Sequence, residues 1–292
     1  MTWRVVVIEN RAKLELKLSH LVVRQDGNEI HKIYLKDISH IIVNTTEASI
    51  TFALLNEIVK NKIKLIFCDE KRNPAAEVAS YYSSYNTSEK IRTQIKWDEY
   101  IKGDVWQLIV KQKIKNQMDL LKSCKKPEYK MLEKYIDEVE FKDATNREGH
   151  AAKVYFNALF GKDFSRSDDS NINAALNYGY SILLSSINRQ VVSNGYITQL
   201  GIFHNNMFNQ FNLSSDLIEP WRAIVDDYVY KNVKKIFNQE KKIEIIDLIN
   251  NFVSIDNKES RINQAIGIYV RSVFDALNNR DLSLLRFPTY EL

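Results

Sequence analysis

The hydrophobic period of this chain changes once, near Thr87, and that change limits the fold to a strand-built part followed by a helix-built part. Before it, Trp3-Arg4-Val5-Val6-Val7-Ile8 is a β-branched run, and Lys13-Leu14-Glu15-Leu16-Lys17-Leu18 alternates strictly, as a strand with one wet face does. Leu21–Arg24, Ile30–Leu35, Ile38–Val43 and Lys64–Cys68 read as further short strands, with Asp26-Gly27 as the turn between the first two. Within this part only Glu47–Asn61 has helical spacing, with Ile50, Leu54, Ile58 and Val59 on one side. Beyond Thr87, Trp106, Val110, Ile114, Gln117 and Leu121 recur at steps of three and four and mark one face of a long helix. Ala151–Phe160 is a second helix, closed by Gly161. Leu176, Tyr180, Leu183, Ile187 and Val191 mark a third, with Gly195 beyond its end. Ile224–Ile236, Ile243–Val253 and Arg261–Leu277 also have helical spacing. The expected fold class is α+β: a small N-terminal β-sandwich-like domain with one helix (1–80), a Ser/Tyr/Asn-rich linker (81–88), and a larger all-α domain (89–292).

A chain of 292 residues suits about two such domains. Its 8 Gly and 4 Pro are too few for collagen-like or turn-dense all-β architecture. No apolar run spans a bilayer, since Asn188 and Arg189 interrupt Ser181–Val192, and Met1–Glu9 lacks the pattern of a signal peptide; the expected location is the cytoplasm, with no membrane partner. Cys68 and Cys124 make neither a disulfide scaffold nor a four-thiolate zinc site. Net charge is only 41 − 37 = +4, but Lys90–Lys130 holds eleven Lys/Arg against five acids. That excess fits a solvated helix face or a surface that tracks phosphates. The candidate phosphate contacts are Lys96, Lys102, Lys111, Lys113, Lys115 and Arg222, with further charge at Lys231, Lys234 and Lys235. Lys111 and Lys115 share a helix face, and Lys113 points away from it. Tyr81, Tyr82 and Tyr85 fit either linker packing or stacking on a nucleic-acid end.

Three polar clusters in the helical half carry possible chemistry: Asn146-Arg147-Glu148-Gly149-His150, Gly201-Ile202-Phe203-His204-Asn205-Asn206, and Asp216-Leu217-Ile218-Glu219-Pro220-Trp221-Arg222. Each also has a structural reading. Thr145-x-x-Glu148 has the form of a capping box, Asp216 and Glu219 suit a helix start, and Pro220 suits a first turn. Together, however, one imidazole and several carboxylates from separate helices can converge on a divalent cation. Hard oxygen donors with a single imidazole favour Mn²⁺ or Mg²⁺, which serve phosphodiester chemistry.

Glu148-Gly149-His150-Ala151-Ala152, Asn173-Ala174-Ala175-Leu176-Asn177-Tyr178-Gly179-Tyr180, Gly201-Ile202-Phe203-His204 and Asp216-Leu217-Ile218-Glu219-Pro220-Trp221-Arg222, in that order, resemble the CRISPR adaptation integrase family, the first of the CRISPR-associated proteins, in its type II branch. The resemblance covers the whole chain. It implies Glu148, His204 and Glu219 as catalytic metal ligands, with Asp216 as a nearby acid that some members also use. It further implies a prokaryotic, metal-dependent DNA integrase and endonuclease that inserts short duplex prespacers into a CRISPR repeat by transesterification. The implied assembly is a homodimer through the β-rich domain, bridged by a small ferredoxin-like companion subunit. Type II members also work beside the effector nuclease and a ring-forming DNA-binding protein. Trp221, Ala223 and Ser170 depart from the family's usual Phe, Pro and Pro, and none is a ligand position. Two alternatives share the residues: a structure-selective DNA endonuclease acting by hydrolysis, and a non-catalytic DNA-binding scaffold whose acids cap helices.

Overall fold

Alternating and β-branched segments near the start of the chain pair into two sheets. The structure, a computed structural model, describes residues 4–70, 72–78, 86–234 and 236–289 and divides into two units, Met1–Tyr85 and Asn86–Leu292. Tyr81, Tyr82, Tyr85 and Lys235 lie outside the described residues, as does most of the expected linker.

The first unit runs β1 (Arg4–Ile8), β2 (Ala12–Lys17), β3 (His20–Gln25), β4 (Asn28–Tyr34), β5 (Ile38–Val43), β6 (Ala48–Ile50), α1 (Phe52–Lys60), β7 (Lys64–Cys68) and β8 (Pro74–Val78). One sheet has the order β1-β5-β7-β8, with β1, β5 and β7 parallel and β8 antiparallel to β7. The other has the order β4-β3-β2-β6, in which β2, β3 and β4 form an antiparallel meander and β6 runs parallel to β2. Asp26 and Gly27 turn the β3–β4 hairpin with φ of +48° and +84°, the left-handed pair that a two-residue connection needs. β5 is buried at every position, as a strand covered on both faces must be. Leu14, Leu21 and Val23 of one sheet share a core with Ile41 and Leu65 of the other and with Leu54 and Ile58 of α1. The helical spacing read over Glu47–Asn61 holds only from Phe52. Ala48–Ile50 pairs with Ala12–Leu14 instead, and Thr51 caps α1 by accepting from the Leu54 amide.

The second unit runs α2 (Thr87–Ile95), α3 (Glu99–Ser123), α4 (Tyr129–Asp137), α5 (Arg147–Phe160), α6 (Asn171–Ser193), α7 (Asn212–Leu217), α8 (Arg222–Asn232), α9 (Gln239–Asp247), β9 (Phe252–Ile255), β10 (Lys258–Arg261) and α10 (Ile262–Asn279). α3 is the central element and packs on α4, α5, α8 and α10. Its buried residues extend well beyond the single predicted face and include Ile109, Met118 and Leu120. Two expectations need correction. The unit is mainly helical rather than all-α, because the segment read as a helix to Val253 leaves α9 at Asp247 and returns as a hairpin. Val253 and Ile255 are buried and alternate with exposed Phe252 and Ser254, a period of two, and Asp256 and Asn257 turn the chain at positive φ. Helix α8 likewise stops at Asn232, short of Ile236. Among the described residues no helix is long and apolar enough to cross a membrane.

Gly179 of α6 allows a close approach to α8: a Cβ there would clash with the Val225 side chain. Gly267 of α10 differs, because a Cβ there would meet only the flexible end of Gln190, at 3.2 Å. Gly179→Ala is therefore expected to destabilise the protein by about 1–3 kcal/mol through overpacking. Gly267→Ala is expected to be neutral or to stabilise it by up to about 1 kcal/mol through helix propensity. Urea unfolding followed by circular dichroism checks both, and equal losses would reject this account of the α6–α8 contact.

Candidate active site

Glu148 lies in the first turn of α5, and the structure frees it from the capping duty that its spacing suggests. Asn146 is the N-cap and accepts from the Gly149 amide at 3.3 Å. The Asp143 carboxylate accepts from the amides of Arg147 and Glu148 at 2.8 and 3.0 Å. With the first amides satisfied, the Glu148 carboxylate reaches across to α3, where the Lys113 ammonium donates to its Oε1 at 2.6 Å. Glu219 sits in a single 3₁₀ turn, Glu219–Trp221, between α7 and α8. Asn116 of α3 pins that turn by donating to the Pro220 carbonyl at 2.7 Å. Only 4% of Glu219 is exposed. Its Oε1 accepts from Arg222 Nε at 3.0 Å. Its Oε2 lies 2.5 Å from the same Lys113 Nζ, a buried ion pair.

The electrostatics follow from this geometry. Burial works against charge on Lys113, but the carboxylates of Glu219 and Glu148 outweigh it and raise the ammonium above the ordinary lysine range. Burial likewise opposes a charged Glu219, yet Arg222 and Lys113 hold its carboxyl below the usual range.

His204 is positioned by Asp216. The buried Asp216 carboxylate accepts from the amides of Ile202, Phe203 and His204 at 2.6, 3.1 and 3.0 Å, and its Oδ1 lies 2.6 Å from His204 Nδ1. This explains Gly201 in the motif: a Cβ there would collide with the His204 carbonyl and come within 2.7 Å of Asp216 Oδ2. Trp106 of α3 stacks on Phe203 at 4.6 Å and meets the His204 ring edge-on at 5.6 Å. The imidazole is held on its Nδ1 side and 38% exposed, so Nε2 is the nitrogen left for a ligand. The Asp216 hydrogen bond raises the imidazole pKa, partial burial opposes it, and the nearby charges of Glu219 and Glu148 reinforce the rise. Beside the imidazole opens a cavity of about 600 Å³ lined by Trp106, Phe203, His204, Lys102 and Lys142.

Three residues serve otherwise than their sequence positions suggest. Asp216 has both oxygens engaged by the loop amides and orients His204. Lys113 is buried between two carboxylates and is no surface contact for DNA. Arg222 turns back onto Glu219 and lies over the Tyr180 ring at 4.5 Å. Of the other candidates, Lys102 pairs with Glu99 at 2.7 Å, Lys96 and Lys115 are exposed, and Lys111 is half-buried. Among the described residues no group of three or more His, Cys, Asp or Glu side chains is gathered closely enough to hold a metal ion. The donor types nevertheless fit a divalent cation: two carboxylates and one outward imidazole nitrogen. The position between the carboxylates is taken by the Lys113 ammonium.

Behind the site lies a group that the sequence reading missed. Tyr155 of α5 donates to Asp226 Oδ2 of α8 at 2.9 Å, and Tyr180 of α6 donates to its Oδ1. The buried carboxylate thus ties together the helices that carry Glu148 and Arg222. The i, i+4 spacing of Arg222 and Asp226 was its signal. Burial pushes the Asp226 carboxyl up to about 6, against the lowering effect of the two tyrosines. Because the folded-state value is raised, the stability held by protonated Asp226 is fully present below its ordinary 3.8 and is lost as pH rises through about 6. Asp226→Asn should therefore gain about 3 kcal/mol on wild type between pH 4 and pH 7, the worth of roughly two pKa units. Urea titrations of both proteins across that range check it, and parallel stability curves would exclude it.

The sequence profile of the family described as "CRISPR associated protein Cas1" matches residues 5–248. A "CRISPR-associated endonuclease Cas1" of Neisseria meningitidis serogroup C (strain 8013) is 33% identical over 294 residues, covering 99% of this chain and 96% of the relative. Among solved structures, a casposase bound to integration product superposes with a TM-score of 0.77 at 19% identity, covering 95% of this chain and 91% of the casposase. A Cas6-RT-Cas1–Cas2 complex superposes with a TM-score of 0.74 at 18% identity, covering 97% of this chain and 36% of the chain matched. At these identities the two superpositions speak for the fold.

Proposed function

The chain belongs to the Cas1 family of CRISPR-associated proteins, and from that premise we propose that Glu148, His204 and Glu219 are its catalytic metal site, within a DNA endonuclease and integrase of CRISPR adaptation. The reaction is transesterification, in which the 3′-hydroxyl of a short duplex fragment attacks a phosphodiester at a repeat boundary. One observation supports the assignment: a single ammonium, Lys113 of α3, contacts Glu148 of α5 and Glu219 before α8 at once, so two sequence-distant motif carboxylates meet at one charge. When bound, Mg²⁺ or Mn²⁺ supplies charge stabilisation at the phosphate and at the attacking and leaving oxygens. The protein's own residues prepare that chemistry. Asp216 fixes the ring of His204 and leaves Nε2 outward. Arg222 holds one oxygen of Glu219 and leaves the other facing Lys113.

The partners are duplex DNA and a companion subunit, a reading supported by the similar Cas6-RT-Cas1–Cas2 complex. A homodimer through the β-rich unit is part of this reading, carried by the family resemblance.

The decisive assay combines supercoiled plasmid, labelled duplex fragment, the companion subunit and Mn²⁺. Wild type is expected to join fragment to plasmid, and Glu148→Ala, His204→Ala and Glu219→Ala to lose joining by at least about a hundredfold while remaining folded. Nicking without joining would favour a hydrolytic endonuclease, and a gel shift without either product would favour a scaffold.

The basic surface is proposed to include Lys96, Lys111 and Lys115, three of the exposed or half-buried basic residues of the stretch. Lys111→Glu with Lys115→Glu should reduce the slope of log K against log[salt] by about 0.9 for each phosphate no longer neutralised, on duplex DNA of any sequence. A slope equal to wild type would return these lysines to the solvated-face reading.

A further inference from the structure

Among the described residues, Lys113 is the one cation that touches both proposed glutamate ligands, at 2.6 Å from Glu148 Oε1 and 2.5 Å from Glu219 Oε2. Each neighbour restricts what else those oxygens can do. Arg222 occupies Glu219 Oε1, with both Nε and Nη2 at 3.0 Å. The oxygen of Glu219 left to ligate a metal is therefore Oε2, the atom that Lys113 holds. Charge leads to the same conflict. The two carboxylates carry −2, and Lys113 with Arg222 carries +2, so this cluster is balanced as it stands. A divalent ion added between the carboxylates would meet the ammonium at very short range in a site of low dielectric. Of the two cations, only Lys113 can leave easily. Its charge sits on a flexible four-carbon stem, whereas the Arg222 guanidinium is fixed by paired bonds to Glu219 and by the Tyr180 ring.

We propose that Lys113 is a positioning residue of the metal site, an internal counter-ion that holds Glu148 and Glu219 together and gives up Glu219 Oε2 when a divalent cation is taken up. The inference rests on the assignment of those glutamates as metal ligands. It makes the site self-neutralising. Without a divalent ion, buried Glu219 and half-buried Glu148 face one ammonium instead of each other, and α3, α5 and the Glu219 turn keep their places. With one, the ammonium moves off and the same oxygens change partner.

The test is Mn²⁺ binding by titration calorimetry on the full chain, with thermal unfolding in chelator, for wild type, Lys113→Met, Lys113→Arg and Glu148→Ala. Lys113→Met removes the competing charge and is expected to bind Mn²⁺ at least tenfold more tightly. It should also melt lower in chelator and gain more from Mn²⁺ than wild type gains. Lys113→Arg keeps the charge and should bind no more tightly than wild type. Unchanged or weaker binding by Lys113→Met overturns the proposal. Should that variant fail to fold, wild-type protein answers by reductive methylation read by mass spectrometry: Lys113 is expected to resist labelling in chelator and to label several-fold faster in Mg²⁺. Labelling unaffected by Mg²⁺ overturns it in that case. The two levels of inference separate cleanly. Binding of Mn²⁺ that Glu148→Ala does not reduce removes the metal-site assignment and this proposal together. Binding lost in Glu148→Ala but unmoved by Lys113→Met removes the role of Lys113 alone.

Discussion

A buried carboxylate beside a half-buried one needs positive charge between them, and the helical unit is built around meeting that need. Bringing an ion out of water into a protein interior costs several kcal/mol, so each charge must recover that cost locally. Glu219 does so through Arg222 on one oxygen and Lys113 on the other, and Glu148 through Lys113. Arg222 in turn lies on the Tyr180 ring, whose hydroxyl bonds Asp226, which Tyr155 also bonds. The result is a continuous polar layer linking α3, α5, α6 and α8. Such a layer adds little net stability compared with an apolar one. Its value lies in specification: helices out of register would leave buried charges unpaired, at several kcal/mol each.

The His204 side of the site solves a different problem, how to fix one ring with a loop. Ile202, Phe203 and His204 have no helix to satisfy their amides, so they converge on Asp216. The same carboxylate then has one lone-pair direction left for the imidazole. Backbone satisfaction and ring orientation are thus one interaction, and Gly201 is required because a side chain there would intrude on the convergence. Trp106 stacked on Phe203 closes the loop from the α3 side. The loop's shape and the direction of the Nε2 lone pair are set together.

Much of this was legible in the sequence, for identifiable reasons. Period two and period 3.6 are hard to confuse over long segments, so the strand-to-helix change and α5 and α6 could be read directly. The losses came where the signal was short or shared. Phe252–Ile255 carries only two alternating buried residues and follows a helix without an intervening break, so its strand was absorbed into α9. Thr145-x-x-Glu148 looks like a capping box because spacing alone cannot reveal that Asp143 and Asn146 already satisfy those amides. Asp216 looked like a ligand because a sequence names a carboxylate and says nothing of which donors have already claimed it. The motif residues Glu148, His204 and Glu219 stood out by type, but the meeting of the two glutamates depends on Lys113 of α3, which none of the motifs contains.

That contribution explains why one run of lysines divides into two kinds. At about 100° per residue, Lys111 and Lys115 lie roughly 40° apart around α3, whereas Lys113 lies about 200° from Lys111. Lys113 falls on the stripe that carries Trp106, Val110, Ile114 and Gln117, seven residues after the first and four before the last. A lysine on a core stripe has to be paired, because an unpaired ammonium there would not stay charged. The basic stretch is therefore two features: its outward members face solvent, and its inward member balances the charge of the site. The helical period assigns the two roles. A one-residue insertion between Lys111 and Lys113 would rotate everything that follows by about 100°, taking Lys113 off the stripe and leaving Glu148 and Glu219 facing each other. The placement of the lysine within the period, and not the density of basic residues around it, is what the carboxylate pair depends on.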